Sequence, residues 1–229
     1  MRTLRGPATL AALATLATLA AFPGVARAQN RDTRLWVGGG VDAGLGPRVR
    51  LAAEQELRVG ADAGFDETHT EVGVRFSPLR WLRLGSFYRL AILDSETRHR
   101  LGADGEGLLP LGRARLRYRL RLQATTRPAD DTRVVVRNRV KVEVRATRRV
   151  EPFAAVEIHH QASPKAEYRE LRLYLGADVR LRATLDLTAF YLYQDEANVA
   201  AAETNHVLGV GLVYHFGDLR ARDHAEVSD

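Results

Sequence analysis

The residues best suited to chemistry are His159, His160 and Ser163, which stand within five positions of one another. A serine becomes a nucleophile when a histidine lies within hydrogen-bond reach and a third group orients that histidine. Two further candidate bases, His69 and His206, lie elsewhere in the chain. No spacing guarantees that these groups meet, and histidines in loops or at a rim account for the same residues. We therefore predict that the protein is not an enzyme, with a lipase or deacylase as the alternative.

The adjacent histidines also raise the question of a metal. Neighbouring residues of a strand point to opposite faces, so His159 and His160 cannot chelate one ion on a regular strand. The chain has no cysteine, which removes disulfides, thiolate metal sites and thiol nucleophiles. It also removes a lipoprotein anchor, which needs a cysteine at the processing site. We predict no metal site and no cofactor.

Arginine is the second chemical feature. The segment Arg113–Thr125 reads RARLRYRLRLQAT, with arginine at every second position from 113 to 121 and mainly aliphatic residues between. A period of two places the arginines on one face of a strand and the apolar groups on the other. Arginine binds oxyanions bidentately. Lys141 and Lys165 are the only lysines, and a GC-rich genome explains the same bias without any ligand.

The strands that carry these residues are unusually long. Arg113–Thr125 has 13 residues, against about 5–6 in a typical strand, whereas a tilted transmembrane strand needs roughly 9–11. Similar alternating runs follow one another from residue 33 onward, separated by short polar turns and without a linker. The pattern predicts an all-β fold in one domain, an antiparallel transmembrane β-barrel of 10–12 strands. Eleven segments are visible, and bacterial barrels usually have an even number, so either Trp36–Ala43 is not a full strand or one strand is unrecognised.

A secreted soluble β-sandwich is the alternative fold, because it also alternates apolar and polar residues. The strand lengths argue against it, and so do apolar faces made mainly of Leu, Val and Ala. Aromatic residues also gather near strand ends, as they do in the interface girdles of membrane barrels. These residues are Tyr191 and Tyr193 near one rim, and Phe76, Tyr214 and Phe216 near the other.

The N-terminus predicts export. Arg2 and Arg5 precede a largely apolar stretch from Ala8 to Phe22, and Ala26-Arg27-Ala28 forms a small-x-small cleavage site. We predict a signal peptide over residues 1–28 with cleavage after Ala28, a barrel over 29–216 and a periplasmic tail over 217–229. The formal charge of +6 is compatible with a nucleic-acid binder, but export argues against that function, and we predict no nucleic-acid partner. The predicted location is the outer membrane of a Gram-negative bacterium.

The charged faces of the strands would line the lumen of such a barrel. Ten to twelve strands leave more room than eight, which side chains just fill, and less than the 16–18 of an open channel. Two interpretations stay open, a structural barrel plugged by Arg–carboxylate pairs and a narrow, anion-preferring pore. Asn138 interrupts an apolar face and predicts a bulge or a twist toward the lumen. The inward bases are predicted to be Arg113, Arg115, Arg117, Arg119, Arg121, Arg133, Arg137, Arg139, Lys141, Arg145, Arg172, Arg180 and Arg182, and the inward acids Glu143, Glu157, Glu170, Asp178 and Asp186.

Several short motifs follow one another along the chain in an order that is typical of one family. They are Leu35-Trp36, Glu54–Arg58, Tyr88-Arg89, the paired Arg-rich strands, and Glu151-Pro152-Phe153 followed by Glu157. With these motifs the chain resembles a family of uncharacterised bacterial outer-membrane barrels that is catalogued as a domain of unknown function. The resemblance implies an outer-membrane barrel and carries no reaction or substrate.

The same location predicts the partners. We expect outer-membrane lipids, lipopolysaccharide and the barrel assembly machinery to contact the protein, and the oligomeric state is left open. One departure concerns the end of the chain, because assembly signals often finish on a terminal aromatic residue. Here 13 residues follow Phe216, and we expect this acidic tail in the periplasm.

Overall fold

The computed structural model describes residues 30–60, 64–127, 130–199 and 202–216. The predicted signal peptide, its cleavage position after Ala28 and the predicted tail lie outside these residues. Among the described residues there is no helix that is long and apolar enough to cross a membrane.

Long strands account for nearly all of the described chain. Their lengths, from 12 to 16 residues, confirm the strand pattern read from the sequence. The described strands are β1 (Asn30–Gly44), β2 (Val49–Gly60), β3 (Gly64–Leu79), β4 (Leu82–Leu93), β5 (Thr97–Leu111), β6 (Ala114–Arg127), β7 (Asp130–Val144), β8 (Val150–Ser163), β9 (Glu167–Arg182), β10 (Leu185–Glu196) and β11 (Glu203–Phe216).

The strands form one closed barrel, as predicted, and their number lies within the predicted range. Each strand pairs antiparallel with the next one in the chain, and the barrel closes where β1 pairs with β11. This closing pair is parallel, with Trp36 opposite Gly209. The expectation of an even number was therefore wrong, because a parallel seam closes an odd number of strands. Trp36–Ala43 belongs to a full strand that pairs on both sides.

The parallel seam places the two described chain ends at opposite rims. The β1–β2, β3–β4, β5–β6, β7–β8 and β9–β10 connections share one rim with the end of β11, which we call the Phe216 end. The other five connections share a rim with the start of β1, which we call the Asn30 end. Each inward-facing residue can therefore be assigned to the half of the lumen nearer the Phe216 end or to the half nearer the Asn30 end.

The two faces of the wall differ in composition. Leu101, Leu175 and Leu208 are more than half exposed on the outside, and inward positions carry most of the charge. Asn138 lies on the outer face in regular register between Leu120 and Ile158, so the predicted bulge or twist at this residue is wrong. Its Oδ1 accepts a 2.7 Å hydrogen bond from the Tyr118 hydroxyl, which gives the amide a partner on the apolar face.

Large aromatic rings lie against glycines on the inner face. A Cβ atom added to Gly209 would lie 2.1 Å from Cζ of Phe190, and one added to Gly102 would lie 2.4 Å from Cζ of Phe87. Only glycine therefore lets these rings lie flat against the neighbouring strand. The ring of Phe190 also meets the edge of Trp36 with centroids 6.4 Å apart, which extends the packing across the seam.

Candidate functional site

The candidate site is the barrel lumen, because ion pairs join strands that are not neighbours. Arg121 on β6 approaches Glu71 on β3, with Nη1 and Oε1 3.7 Å apart. Lys141 on β7 contacts Asp178 on β9, with Nζ and Oδ2 3.0 Å apart. Such pairs form across the inside of a closed barrel, since two side chains on its outside diverge. The charged faces of β6, β7 and β9 therefore line the lumen.

One part of the lumen is centred on the fully buried carboxylate of Glu157. Its Oε1 accepts a 2.6 Å hydrogen bond from Nε of Arg137 and lies 3.7 Å from Nη2 of Arg119. Nε2 of His159 lies 3.3 Å from the same oxygen, and Nδ1 of His159 lies 3.1 Å from Oε2 of Glu170. Glu170 pairs in turn with the Arg172 guanidinium on its own strand. The carboxylates in this part of the lumen are thus surrounded by cations and by one imidazole.

Apolar residues complete this layer. The Arg58 guanidinium lies 4.0 Å from the centre of the Trp36 ring, and the Arg139 guanidinium lies 4.6 Å from that of Tyr174. These contacts place aromatic rings and charged groups in one packed layer, in which arginine side chains cover apolar surface. We call this layer the lumen plug. Its central members are Trp36, Arg137, Glu157, Tyr174, Leu192, Asn205 and Val207.

The side chains of the plug fill the lumen at one level. Four inward-facing residues from three strands, Glu157, Leu192, Asn205 and Val207, have no exposed surface. An open channel would expose the side chains that face it. Ala91 on β4, also inward-facing, is 2% exposed. The barrel cross-section is therefore filled at the level of the plug.

The lumen opens on the Phe216 side of the plug. A cavity of about 420 Å³ lies there, and we call it the cup. Its lining contains eight Lys or Arg residues and six Asp or Glu residues, and none that is Phe, Tyr or Trp. The charged lining residues are Asp42, Arg50, Glu54, Arg75, Arg115, Arg117, Lys141, Glu143, Arg148, Arg149, Glu151, Asp178, Arg180 and Asp186, together with His215.

The carboxylate of Glu143, in the wall of the cup, contacts three cations. Oε2 of Glu143 lies 2.6 Å from Nε of Arg115 and 2.8 Å from Nε of Arg117, and Oε1 lies 2.8 Å from Nζ of Lys141. Arg115 also reaches Glu151, with Nη2 and Oε2 3.0 Å apart. Glu143 and Arg115 each have more than one partner, so this part of the wall is a network rather than a set of isolated pairs.

The mouth of the cup carries guanidinium groups with weaker partners. Nη1 of Arg75 lies 3.8 Å from Oδ2 of Asp42, and its Nη2 lies 3.9 Å from Oε1 of Glu54. Arg148 and Arg149 are exposed residues of the β7–β8 turn. Among the residues that the structure describes, neither has an Asp or Glu oxygen within 4.0 Å of its guanidinium. Positive charge is therefore most available at the mouth.

The structure divides the inward residues predicted from the sequence between the two regions. Arg119, Arg121, Arg137, Arg139, Glu157, Glu170 and Arg172 belong to the plug or pack beside it. Arg115, Arg117, Lys141, Glu143, Arg180, Asp178 and Asp186 line the cup. Arg133 lies on β7 opposite Thr125, nearer to the Asn30 end.

Three predicted lumen residues lie elsewhere. Arg113 is exposed in the β5–β6 turn, because Gly112 at φ 66° reverses the chain two residues before β6 begins. Arg182 is the exposed last residue of β9, and Arg145 follows the end of β7. Nε of Arg145 lies 4.0 Å from Oε1 of Glu151, so this side chain belongs to the rim. The alternation of charged and apolar residues continues in the sequence past the points where the strands turn, so it does not indicate where the lumen-facing part of a strand ends.

The candidate hydrolase residues do not form a catalytic set. His159 points into the lumen, whereas His160 points outward against the Tyr168 ring, with centroids 5.9 Å apart. Ser163 is four residues beyond His159 on the same strand, which corresponds to about 13 Å. His206 faces outward, where its Nδ1 lies 2.7 Å from the Tyr191 hydroxyl, and His69 is buried in the lumen.

Sequence reasoning missed several lumen acids in the first half of the chain. Nη2 of Arg121 lies 2.8 Å from Oδ2 of Asp104, and Nη1 of Arg117 lies 3.4 Å from Oε1 of Glu106. These acids offset part of the predicted excess of bases. Their period-two spacing was a usable signal, but the glycines around them obscured the apolar face of β5.

These features define a class, a closed β-barrel with an apolar outer face and a charged lumen that is filled in one part and open in another. The chain belongs to the family described as protein of unknown function (DUF2490), whose profile matches residues 33–205. This confirms the family resemblance noted in the sequence.

Among solved structures the chain is similar to the translocator domain of the autotransporter NalP from Neisseria meningitidis, with 18% sequence identity and a TM-score of 0.48. The similarity covers 73% of this chain and 75% of that chain. A comparison with curated proteins finds no match.

Proposed function

We propose that the protein is an outer-membrane β-barrel with a closed lumen, which serves as a structural or binding protein rather than as an open pore. The observation that carries this proposal is the complete burial of Glu157, Leu192, Asn205 and Val207 on the inner wall. A side chain lining a water-filled passage would contact that water. The excess of bases over acids in the cup favours one alternative, a narrow pore that prefers anions.

The outer face supports the membrane location. Strands of 12–16 residues are long enough to span a bilayer, and a closed barrel satisfies its backbone hydrogen bonds internally. Trp81 and Phe216 are more than half exposed near the Phe216 end, where an interface girdle is expected. Lipids and lipopolysaccharide would cover this face, and the barrel assembly machinery would insert it.

Membrane fractionation with heat-modifiable gel migration tests the location. We expect the protein in the outer-membrane fraction, with a folded band that shifts on boiling. Recovery as a soluble periplasmic protein would contradict the proposal and favour the secreted β-sandwich.

The proposed orientation places the Phe216 end in the periplasm, as the predicted tail requires. Epitope insertions provide a matched test, one after Gly46 in the β1–β2 turn and one after Ser95 in the β4–β5 connection. We expect the epitope at Ser95 to be reached by antibody on intact cells and the epitope at Gly46 only after the outer membrane is opened. The reverse pattern would invert the orientation.

Planar-bilayer recording separates the closed barrel from the pore. The closed lumen predicts no single-channel steps. If steps occur, the alternative predicts an anion-selective reversal potential under a salt gradient, because fixed positive charge concentrates counter-ions. That selectivity should shrink at high salt, since the Debye length falls from ~10 Å at 0.1 M to ~3 Å at 1 M. It should also weaken when Arg117, Arg119 and Arg139 are replaced by glutamine.

We also propose that the protein has no lipid hydrolase activity, because His159 and His160 occupy opposite faces of β8. Purified protein should release no fatty acid from outer-membrane lipid. Release that disappears in both His160→Ala and Ser163→Ala would show that the alternative is correct.

A further inference from the structure

We infer that the cup binds a small polyanion that carries phosphoryl groups. The inference rests on the proposed closed lumen, because a blind cavity retains an anion that an open pore would let through. The volume of about 420 Å³ lies within the roughly 300–1,000 Å³ of small-molecule sites. Unlike most such sites, the cup is lined mainly by charged groups.

The carboxylates of the wall already have cations beside them. Glu143 takes three, Glu151 pairs with Arg115, and Asp178 pairs with Lys141. Oδ1 of Asp42 accepts a 2.9 Å hydrogen bond from Nε of Arg50. These acids therefore compete weakly for cations at the mouth. Glu54 is the exception, because it is half exposed and its Oε1 lies 3.9 Å from Nη2 of Arg75.

The mouth supplies the groups that would hold the ligand. Arg148 and Arg149 come from the β7–β8 turn and Arg75 from β3, so they approach the same cavity from different parts of its wall. The side chain of Arg75 is 45% exposed, and its two carboxylate contacts are both longer than a hydrogen bond. Guanidinium groups bind phosphoryl oxygens bidentately. Three of them around one opening suit a ligand with several negative charges close together.

Calorimetric titration of the purified, detergent-solubilised full-length barrel tests the inference. The probe is tripolyphosphate, and citrate serves as a polycarboxylate probe. We expect saturable binding of tripolyphosphate that is tighter than that of citrate and weakens as salt rises. Absence of saturable binding, or tighter binding of citrate, would overturn the proposal.

A pair of double variants separates a site from general attraction to a basic rim. Arg148→Gln with Arg149→Gln removes two charges from the mouth of the cup. Arg80→Gln with Arg113→Gln removes two charges from turns at the same rim that do not line the cavity. We expect the first pair to weaken tripolyphosphate binding at least about tenfold, as loss of charge-assisted hydrogen bonds does, and the second by less than about twofold. Equal effects would overturn the site, and heat-modifiable migration verifies that each variant is folded.

The phosphoryl group could belong to a soluble molecule or to a lipid headgroup. Competition by mixed micelles that contain phosphatidic acid distinguishes them, because displacement of tripolyphosphate supports the headgroup and its absence supports a soluble ligand. Different results would refute the inference and the proposed function. Channel conductance would refute the closed lumen, whereas absence of anion binding to a non-conducting barrel would refute the cup site alone.

Discussion

The plug and the cup both carry paired charges on the same strands, yet one is filled by side chains and the other is an open cavity. Glu157 on β8 and Glu143 on β7 both point inward and both attract several cations. Around Glu157, rings such as Trp36 and Tyr174 fill the space between the charges. The lining of the cup contains no Phe, Tyr or Trp side chain. The comparison teaches that the aromatic residues of the lumen, rather than its charges, determine where the barrel is closed.

The largest expected effect comes from removing the central carboxylate of the plug. Glu157→Ala leaves Arg137 and Arg119 buried without their shared partner, and breaking a buried ion pair costs about 3–5 kcal/mol. The measurement is the midpoint of urea unfolding in detergent, with Glu157→Gln as a second variant that preserves volume. Glu54→Ala is the matched control, because its carboxylate lies in the cup and is half exposed. A similar fall of the urea midpoint in Glu54→Ala would contradict the distinction between the plug and the cup.

Overpacking the plug should lower the free energy of unfolding somewhat less than Glu157→Ala does. Gly209→Ala places a methyl group 2.1 Å from the Phe190 ring, and forced repacking of this kind costs about 1–3 kcal/mol. Gly107→Ala is the control, since its added Cβ meets no atom within 4 Å. We expect a lower urea midpoint for Gly209→Ala alone. An unchanged midpoint would mean that the aromatic packing is not tight.

The sequence predicted the strands and their outward faces because alternation is a local property, and it placed Glu157 and His159 inward correctly. It did not predict the parallel seam, since the closure of β1 on β11 depends on the whole strand count. The sequence left open a lumen plugged by Arg–carboxylate pairs, but it did not predict the apolar part of the plug, where Trp36, Leu192 and Val207 on three adjoining strands form one buried cluster. The burial of these residues depends on contacts between different strands, and the sequence of one strand does not encode such contacts.

The smallest effect is expected in the wall of the cup. Lys141→Gln removes one of three cations from Glu143, but Arg115 and Arg117 still contact that carboxylate. Glu143 is buried but keeps these two cations, so its carboxylate is not left without a partner and the urea midpoint should fall less than in Glu157→Ala. A loss as large as that of Glu157→Ala would show that the cup is as dry as the plug.

Thiol accessibility tests the central claim, a lumen closed at the plug and open at the cup. The chain has no cysteine, so single cysteines can be introduced at two inward-facing valines of β11, Val207 in the plug and Val213 in the cup. We predict that a small hydrophilic thiol reagent modifies Val213→Cys in the folded barrel and reaches Val207→Cys only after unfolding. Equal modification of both cysteines in the folded barrel would contradict the closed lumen.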